Sequence, residues 1–276
     1  MAPHELDPRF EFGKNWESYS RLVDESRLKS AVERLAQMLG TTDLSDKSFL
    51  DIGCGSGLHS LAALKMGAAR VLAIDVDPTS VKTTHNLIEK FKLKDITVSE
   101  MSVFDLRPEA YGHFDIVYSW GVLHHTGDMV RAINVSSKMV RSGGLLAIAL
   151  YGRTRFCAQW KRIKCWYVNA SPKEKAWAER MYVRLFRAYL ALRGKRLSTH
   201  IRNYSSKRGM DFLHDVRDWI GGYPYESIRG SELEALLQPA GFVRVSATIK
   251  RRSGLFGSGC DEFTYRLSGS RAKGPN

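Results

Sequence analysis

Residues 49–57 read Phe-Leu-Asp-Ile-Gly-Cys-Gly-Ser-Gly, a short apolar strand running straight into three alternating glycines. A second apolar stretch, Val71 to Ile74, ends in Asp75, eighteen residues beyond Gly57. A strand that hands over to a glycine loop, a helix and a second strand belongs to an open parallel sheet with helical crossovers. In such a sheet the glycines Gly53, Gly55 and Gly57 let the backbone approach a ligand at a helix N-terminus. Asp75, at the end of the second strand, can accept hydrogen bonds from ribose hydroxyls. The expected ligand therefore carries a nucleoside.

Two cofactor classes use similar loops. The dinucleotide fingerprint has its third glycine one residue further on, where this chain has Leu58, and it aims a helix N-terminus at a pyrophosphate. Here Asp51 stands two residues before the first glycine. Its carboxylate would repel a pyrophosphate but suits a ligand with an ammonium or sulfonium group. The Asp-x-Gly-x-Gly-x-Gly run resembles the binding loop of class I S-adenosylmethionine (SAM)-dependent methyltransferases, and a nicotinamide or flavin cofactor is the competing reading.

Further strands follow in alternation with helices. They are expected at Phe49–Gly53, Val71–Asp75, Ile96–Glu100, Phe114–Tyr118 and Leu145–Leu150, with helices at 58–66, 79–91 and 129–140. Ser142-Gly143-Gly144 reads as the stop of the last helix. Two late strands, Val243–Ile249 and Glu262–Leu267, flank a glycine-rich turn at 253–259 and should form an antiparallel hairpin. The expectation is an α/β, Rossmann-like, seven-stranded and mostly parallel sheet with a terminal antiparallel hairpin. An N-terminal helix and a helical insertion after strand five complete it. The corresponding segments are 1–45 (helical cap), 46–150 (SAM-binding core), 151–230 (basic, aromatic insertion), 231–268 (completion of the sheet) and 269–276 (tail).

Ligands in such sheets lie beyond the carboxyl ends of the strands, which selects the remaining candidates. Val76 follows Asp75 and can pack against adenine. After strand three, Val103 and Phe104 can flank the other adenine face, and Asp105 can take its amino group or act as a turn cap. After strand four come Ser119 and Trp120, then His124 and His125. Trp120 offers its ring face to a sulfonium or a cationic acceptor. A neutral imidazole can take a proton from an attacking hydroxyl or amine. Adjacent loop positions point apart, so at most one of the two histidines should face an acceptor, and both being structural stays open.

Other segments resemble a bacterial branch of the ubiquinone- and menaquinone-biosynthesis-type methylases. They are Phe10-Glu11-Phe12-Gly13-Lys14-Asn15-Trp16, 118–126, Arg208-Gly209-Met210-Asp211 and 218–226. That resemblance implies that the N-terminal helix and the insertion cover the acceptor pocket, with roles for Tyr19, Tyr204, His214 and Tyr223.

Charge is unevenly placed. The net is +13, yet residues 1–150 hold 17 Lys and Arg against 19 Asp and Glu, and residues 151–208 hold 16 against 2. Such a field favours an anionic partner: a phosphate, a nucleic acid or an acidic membrane surface. Within the insertion, Ser171-Pro172 reads as a helix start. Trp177, Met181, Leu185 and Tyr189 form an apolar stripe at spacing four, with Arg180, Arg184 and Arg187 on another face. That helix reads either as packed on the sheet or as a lid whose cations face the acceptor.

The four cysteines (54, 157, 165, 260) are scattered, which argues against a metal site or disulfide framework and fits a reducing cytoplasm. No stretch reads as a membrane span. The sequence points to a SAM-dependent methyltransferase acting on a small phenolic, glycosyl or prenylated acceptor, with S-adenosyl-L-homocysteine (SAH) as product. C-methylation of a prenyl chain through a carbocation, RNA methylation and a SAM-binding scaffold are the alternatives. Nucleic acid is the less favoured partner, because no separate RNA-binding module is visible. Peripheral membrane contact and homo-oligomerisation stay open.

Overall fold

The computed structural model describes residues 10–204, 212–250, 254–256 and 259–269. The 208–211 motif, part of the 253–259 turn and nearly all of the tail lie outside the described residues. The strands are β1 (Ser48–Ile52), β2 (Arg70–Asp75), β3 (Ile96–Glu100), β4 (Phe114–Trp120), β5 (Val140–Tyr151), β6 (Phe242–Thr248) and β7 (Cys260–Leu267). They form one sheet in the order β3-β2-β1-β4-β5-β7-β6. The first five are parallel, and β7 pairs antiparallel with both β5 and β6.

The helices of the sheet region are α1 (Phe12–Ser20), α2 (Glu25–Leu39), α3 (Leu58–Lys65), α4 (Pro78–Phe91), α5 (Pro108–Tyr111) and α6 (Met129–Lys138). The insertion supplies α7 (Cys157–Asn169), α8 (Pro172–Ala191), α9 (Leu197–Arg202) and α10 (Phe212–Gly221), and α11 (Gly230–Leu237) precedes the hairpin. The N-terminal segment thus holds two helices where one was expected. Asp24 starts the second by accepting from Arg27 N, and Gly40 ends it in the left-handed conformation.

Strand alternation sorts the core into layers. From β1, Leu50 and Ile52 join Ile133, Leu146 and Leu233 on one face. Phe49 points to the other face, with Leu28, Leu35, Leu61 and Ala62 of α2 and α3. A third cluster, built on Tyr151, Trp160, Tyr167, Val216 and Trp219, fastens the insertion to the end of β5.

Two expectations need correction. β5 begins at Val140, not Leu145, so Ser142-Gly143-Gly144 lies within the strand. Val140 pairs with Phe114 before the register shifts, and pairing resumes at Leu145 with Ile116. The intervening residues bulge outward, tied by an Arg141–Asp115 ion pair of 2.7 Å.

The second correction concerns α8. Its Ser171 cap is present as a full capping box with Glu174, but the predicted stripe is packed only in part: Met181 and Tyr189 are half-buried, Tyr189 against Phe186 and Phe256. Ala178, Tyr182, Val183 and Phe186 pack inward, whereas Trp177 and Leu185 are each 56% exposed. The helix carries two apolar rows, and spacing alone cannot say which one is buried.

Candidate active site

A cavity of about 1610 Å³ opens at the carboxyl ends of β1, β2 and β4. At one end it is lined by Gly53, Cys54, Gly55, Asp75, Val76, Val103 and Phe104. At the other it is lined by Trp120, His125, Tyr151, Phe186 and Trp219. Asp75 sits between the glycine loop and α4. It accepts a hydrogen bond from Gly55 N (2.9 Å) and another from Asp77 N (2.9 Å). Burial raises its carboxyl pKa against the pull of these N–H groups.

Other candidates lie elsewhere. Asp51 is buried behind the loop, where Ser60 Oγ of α3 donates to it at 2.5 Å, and it does not line the cavity. Burial pushes its pKa up to about 7. Contact with a charged ligand group is therefore not its place; it joins β1 to α3. Gly57 has φ +80°, and a Cβ there would meet Thr84 of α4 at 2.6 Å. It serves loop-to-helix packing, not the cavity wall. Asp105 is exposed outside the lining, and the turn cap is Ser102 Oγ, which accepts from Phe104 N at 3.3 Å. Ser119 is buried and donates to Ile52 O at 2.9 Å, so its neighbour Trp120 alone faces the cavity, held by Glu262 Oε1 at 3.1 Å.

The two histidines separate on a single 3-10 turn. His124 is fully buried, and its Nδ1 accepts from Tyr151 N at 3.3 Å. The proton is therefore on Nε2, which has no partner among the described residues. His124 O also accepts from Glu226 N at 3.0 Å. It ties strand ends together and does not line the cavity, so a role as the base does not fit its position. His125 lines the cavity, and its Nδ1 lies 2.7 Å from Pro224 O. A carbonyl can only accept, so Nδ1 carries the proton and Nε2 keeps a free lone pair. Burial, reinforced by the buried Lys164 cation, lowers the His125 pKa to about 3. The ring is neutral throughout the physiological range.

Further groups shape the cavity or pack behind its wall, and of these the sequence assigns a role only to Tyr19. Trp16 of α1 stands over the glycine loop, 3.1 Å from where a Cβ of Gly55 would lie. Gly13 N donates to Asp77 Oδ2 at 2.9 Å, and its own Cβ position lies 2.4 Å from that carboxylate. This close approach lets α1 lie against the start of α4. Lys164 is wholly buried among Tyr151, Trp219 and Tyr225, with its Nζ 4.0 Å from the Trp219 ring centroid. It donates to Trp219 O, and burial lowers its pKa to about 7. Tyr19 is buried at the cavity wall, beside Trp16. Arg180, Arg184 and Arg187 are exposed and do not line the cavity, so the lid with inward cations is not what forms. Arg27 and Arg34 of α2 line it instead.

The strand order, glycine loop and terminal hairpin are those of the class I SAM-dependent methyltransferase fold. Residues 50–148 match the model of the family described as "Methyltransferase domain". Among curated proteins, the chain is 32% identical over 114 residues to the ribosomal protein L11 methyltransferase of Escherichia coli O8 (strain IAI1). That match covers 40% of this chain and 38% of the relative. It is 48% identical over 54 residues to the protein of the same name from Aeromonas salmonicida, covering 20% and 18%. The chain thus spans well under half the length of these relatives. Among solved structures, magnesium protoporphyrin IX methyltransferase from Synechocystis PCC 6803 with bound SAH is similar over 87% of this chain and 83% of its own. Its TM-score is 0.54 and its identity 14%. By their names these proteins act on different acceptors, a ribosomal protein in the curated relatives and magnesium protoporphyrin IX in the solved structure.

Proposed function

We propose that this chain transfers a methyl group from SAM to the hydroxyl of a bulky, largely apolar small molecule. The observation that carries the reading is one continuous cavity. It joins the glycine loop and Asp75 to an aromatic chamber holding a neutral histidine. At about 1610 Å³, it exceeds the roughly 300–1,000 Å³ of a pocket for one drug-sized ligand, leaving room for donor and acceptor together.

The residues at the glycine end fit SAM. Gly53 and Gly55 give backbone access, Asp75 offers carboxylate oxygens for ribose hydroxyls, and Val76, Val103 and Phe104 supply apolar walls for adenine. When bound there, SAM supplies an electrophilic methyl carbon on a sulfonium. The chain positions the acceptor, excludes water with Trp16, Phe12 and Trp219, and receives a proton at His125 Nε2. An imidazole of lowered basicity is too weak to deprotonate an ammonium. It can still take the proton from an oxygen that becomes strongly acidic as it is methylated. A hydroxyl acceptor therefore suits His125 better than a protonated amine. An anionic group on the acceptor would meet Arg27 and Arg34, not the insertion arginines.

A prenyl-chain acceptor is the second reading, supported by the aromatic walls Phe12, Tyr151 and Trp219, which can stabilise a carbocation. Calorimetric titration with SAH tests the common ground: SAH should bind, and Asp75→Ala should weaken binding at least about tenfold, the equivalent of one lost charge-assisted hydrogen bond. Unchanged affinity in that variant sinks the cofactor assignment. Turnover of His125→Ala with phenolic and prenylated acceptors then separates the two readings.

A further inference from the structure

We propose that the outer face of α8 docks this protein on an anionic membrane surface. At 100° per residue, Trp177, Met181, Leu185 and the C-cap residue Leu192 fall within an arc of roughly 80°, about 120° around the helix from the inner row of Tyr182 and Phe186. Trp177 and Leu185 are each 56% exposed and Leu192 is 89% exposed. Globular helices put their apolar row inside and charges outside; α8 buries one apolar row and presents another to solvent.

Charge supplies the second observation. Arg180, Arg184 and Arg187 run along one flank of the outer row, and none has a carboxylate partner among the described residues. The two acids of the helix are engaged elsewhere. Glu174 accepts from Ser171 N at 2.7 Å and Ser171 Oγ at 2.6 Å. Glu179 accepts from Tyr167 Oη at 2.8 Å and Arg217 Nε at 3.1 Å. The outer face therefore combines Trp and Leu with uncompensated cations, the pattern of a helix lying in the plane of a headgroup layer. A nucleic acid would use the arginines but has no use for Leu185 and Leu192.

The inner row gives the docking a consequence. Tyr182 and Phe186 line the cavity, so a single helix separates the bilayer-facing surface from the acceptor chamber. A lipid-like acceptor would have a short path from one to the other. The docking itself does not depend on the reaction proposed above, because vesicle binding is read without turnover.

The test is co-sedimentation of the full chain with phosphatidylcholine vesicles, with and without phosphatidylglycerol, from low to high salt. Binding should require phosphatidylglycerol and fade with salt. The triple variant Arg180→Glu/Arg184→Glu/Arg187→Glu should bind about a hundredfold more weakly, taking about fivefold for each cation removed. Trp177→Ala/Leu185→Ala should lose at least about tenfold. Both variants change exposed side chains, and retained SAH affinity shows that they fold. No sedimentation with anionic vesicles at low salt overturns the proposal. So does undiminished binding by the Trp177→Ala/Leu185→Ala variant, or binding of an RNA oligonucleotide without any binding to vesicles.

Discussion

His124 and His125 are neighbours with ring centroids 4.3 Å apart, yet their hydrogen bonds fix opposite tautomers. Tyr151 N must donate to His124, and Pro224 O must accept from His125. Only His125 lines the cavity, and its Nε2 is the nitrogen left to accept a proton. His125→Ala should therefore cut turnover of a hydroxyl acceptor by about a hundredfold while SAH affinity stays nearly unchanged. A fall of less than tenfold would remove the base and favour the prenyl-carbon reading. His124→Ala should act on stability instead, since it leaves Tyr151 N buried without its acceptor, at a cost of about 1–3 kcal/mol. The urea midpoint should drop, with little change in turnover per folded molecule.

The same histidine carries a pH signature. Imidazole in an unfolded chain titrates near about 6.5, while folded His125 titrates at about 3. Between those values the unfolded chain binds the extra proton, so this contribution is complete above the window and is lost as pH falls through it. Asp51, held at about 7, works in the opposite direction, so the quantity to read is the difference between wild type and His125→Gln. Urea unfolding at about pH 7 and about pH 4.5 should show the variant losing less stability on acidification. Equal losses in both proteins would mean that His125 is not held neutral.

At the scale of elements, what was legible in the sequence was what is local. The strand, glycine loop, helix and Asp75 lie within 27 consecutive residues, and their spacing alone places them. Side-chain direction at strand ends was harder. Ser119 and Trp120 alternate on β4, so they face opposite ways, and a reading by position alone counts both. Asp51 fails for the same reason: it leans toward Ser60 of α3. Tertiary approaches left no local trace. Gly13 lies against Asp77, 64 residues away, and nothing in Phe-Gly-Lys-Asn marks that glycine as a contact point. The contact yields a prediction of its own. With 2.4 Å between the Gly13 Cβ position and the Asp77 carboxylate, Gly13→Ala must break the Gly13–Asp77 contact, by turning the carboxylate away or pushing α1 off α4, and so loosen Trp16 over the glycine loop. SAH affinity should fall several-fold, with the far-UV circular dichroism unchanged. Wild-type affinity in this variant would mean that α1 does not help to close the cofactor end.

Across the whole molecule, the cavity wall is assembled from parts remote in sequence: α1, the loops after β1, β2 and β4, α8, α10, and the β6–β7 hairpin. No one of them encloses a ligand alone, and the parallel sheet is complete without α1 or the insertion. A ligand at the glycine end should therefore stabilise more than the loop it touches. SAH at about a hundred times its dissociation constant contributes about 2.7 kcal/mol to the native state by mass action, wherever the contacts fall. Its distribution is the informative quantity. Hydrogen exchange should slow at 53–58 through direct contact, and also across α1, because Trp16 lies over Gly55 and Gly13 is bonded to the α4 cap. The exposed outer row of α8 belongs to the other end of the cavity and should respond to acceptor, not to SAH. Protection confined to 53–58 would mean that the cofactor end and the N-terminal helix open independently. The donor site would then be shaped by the sheet alone, and α1 would belong to the acceptor side.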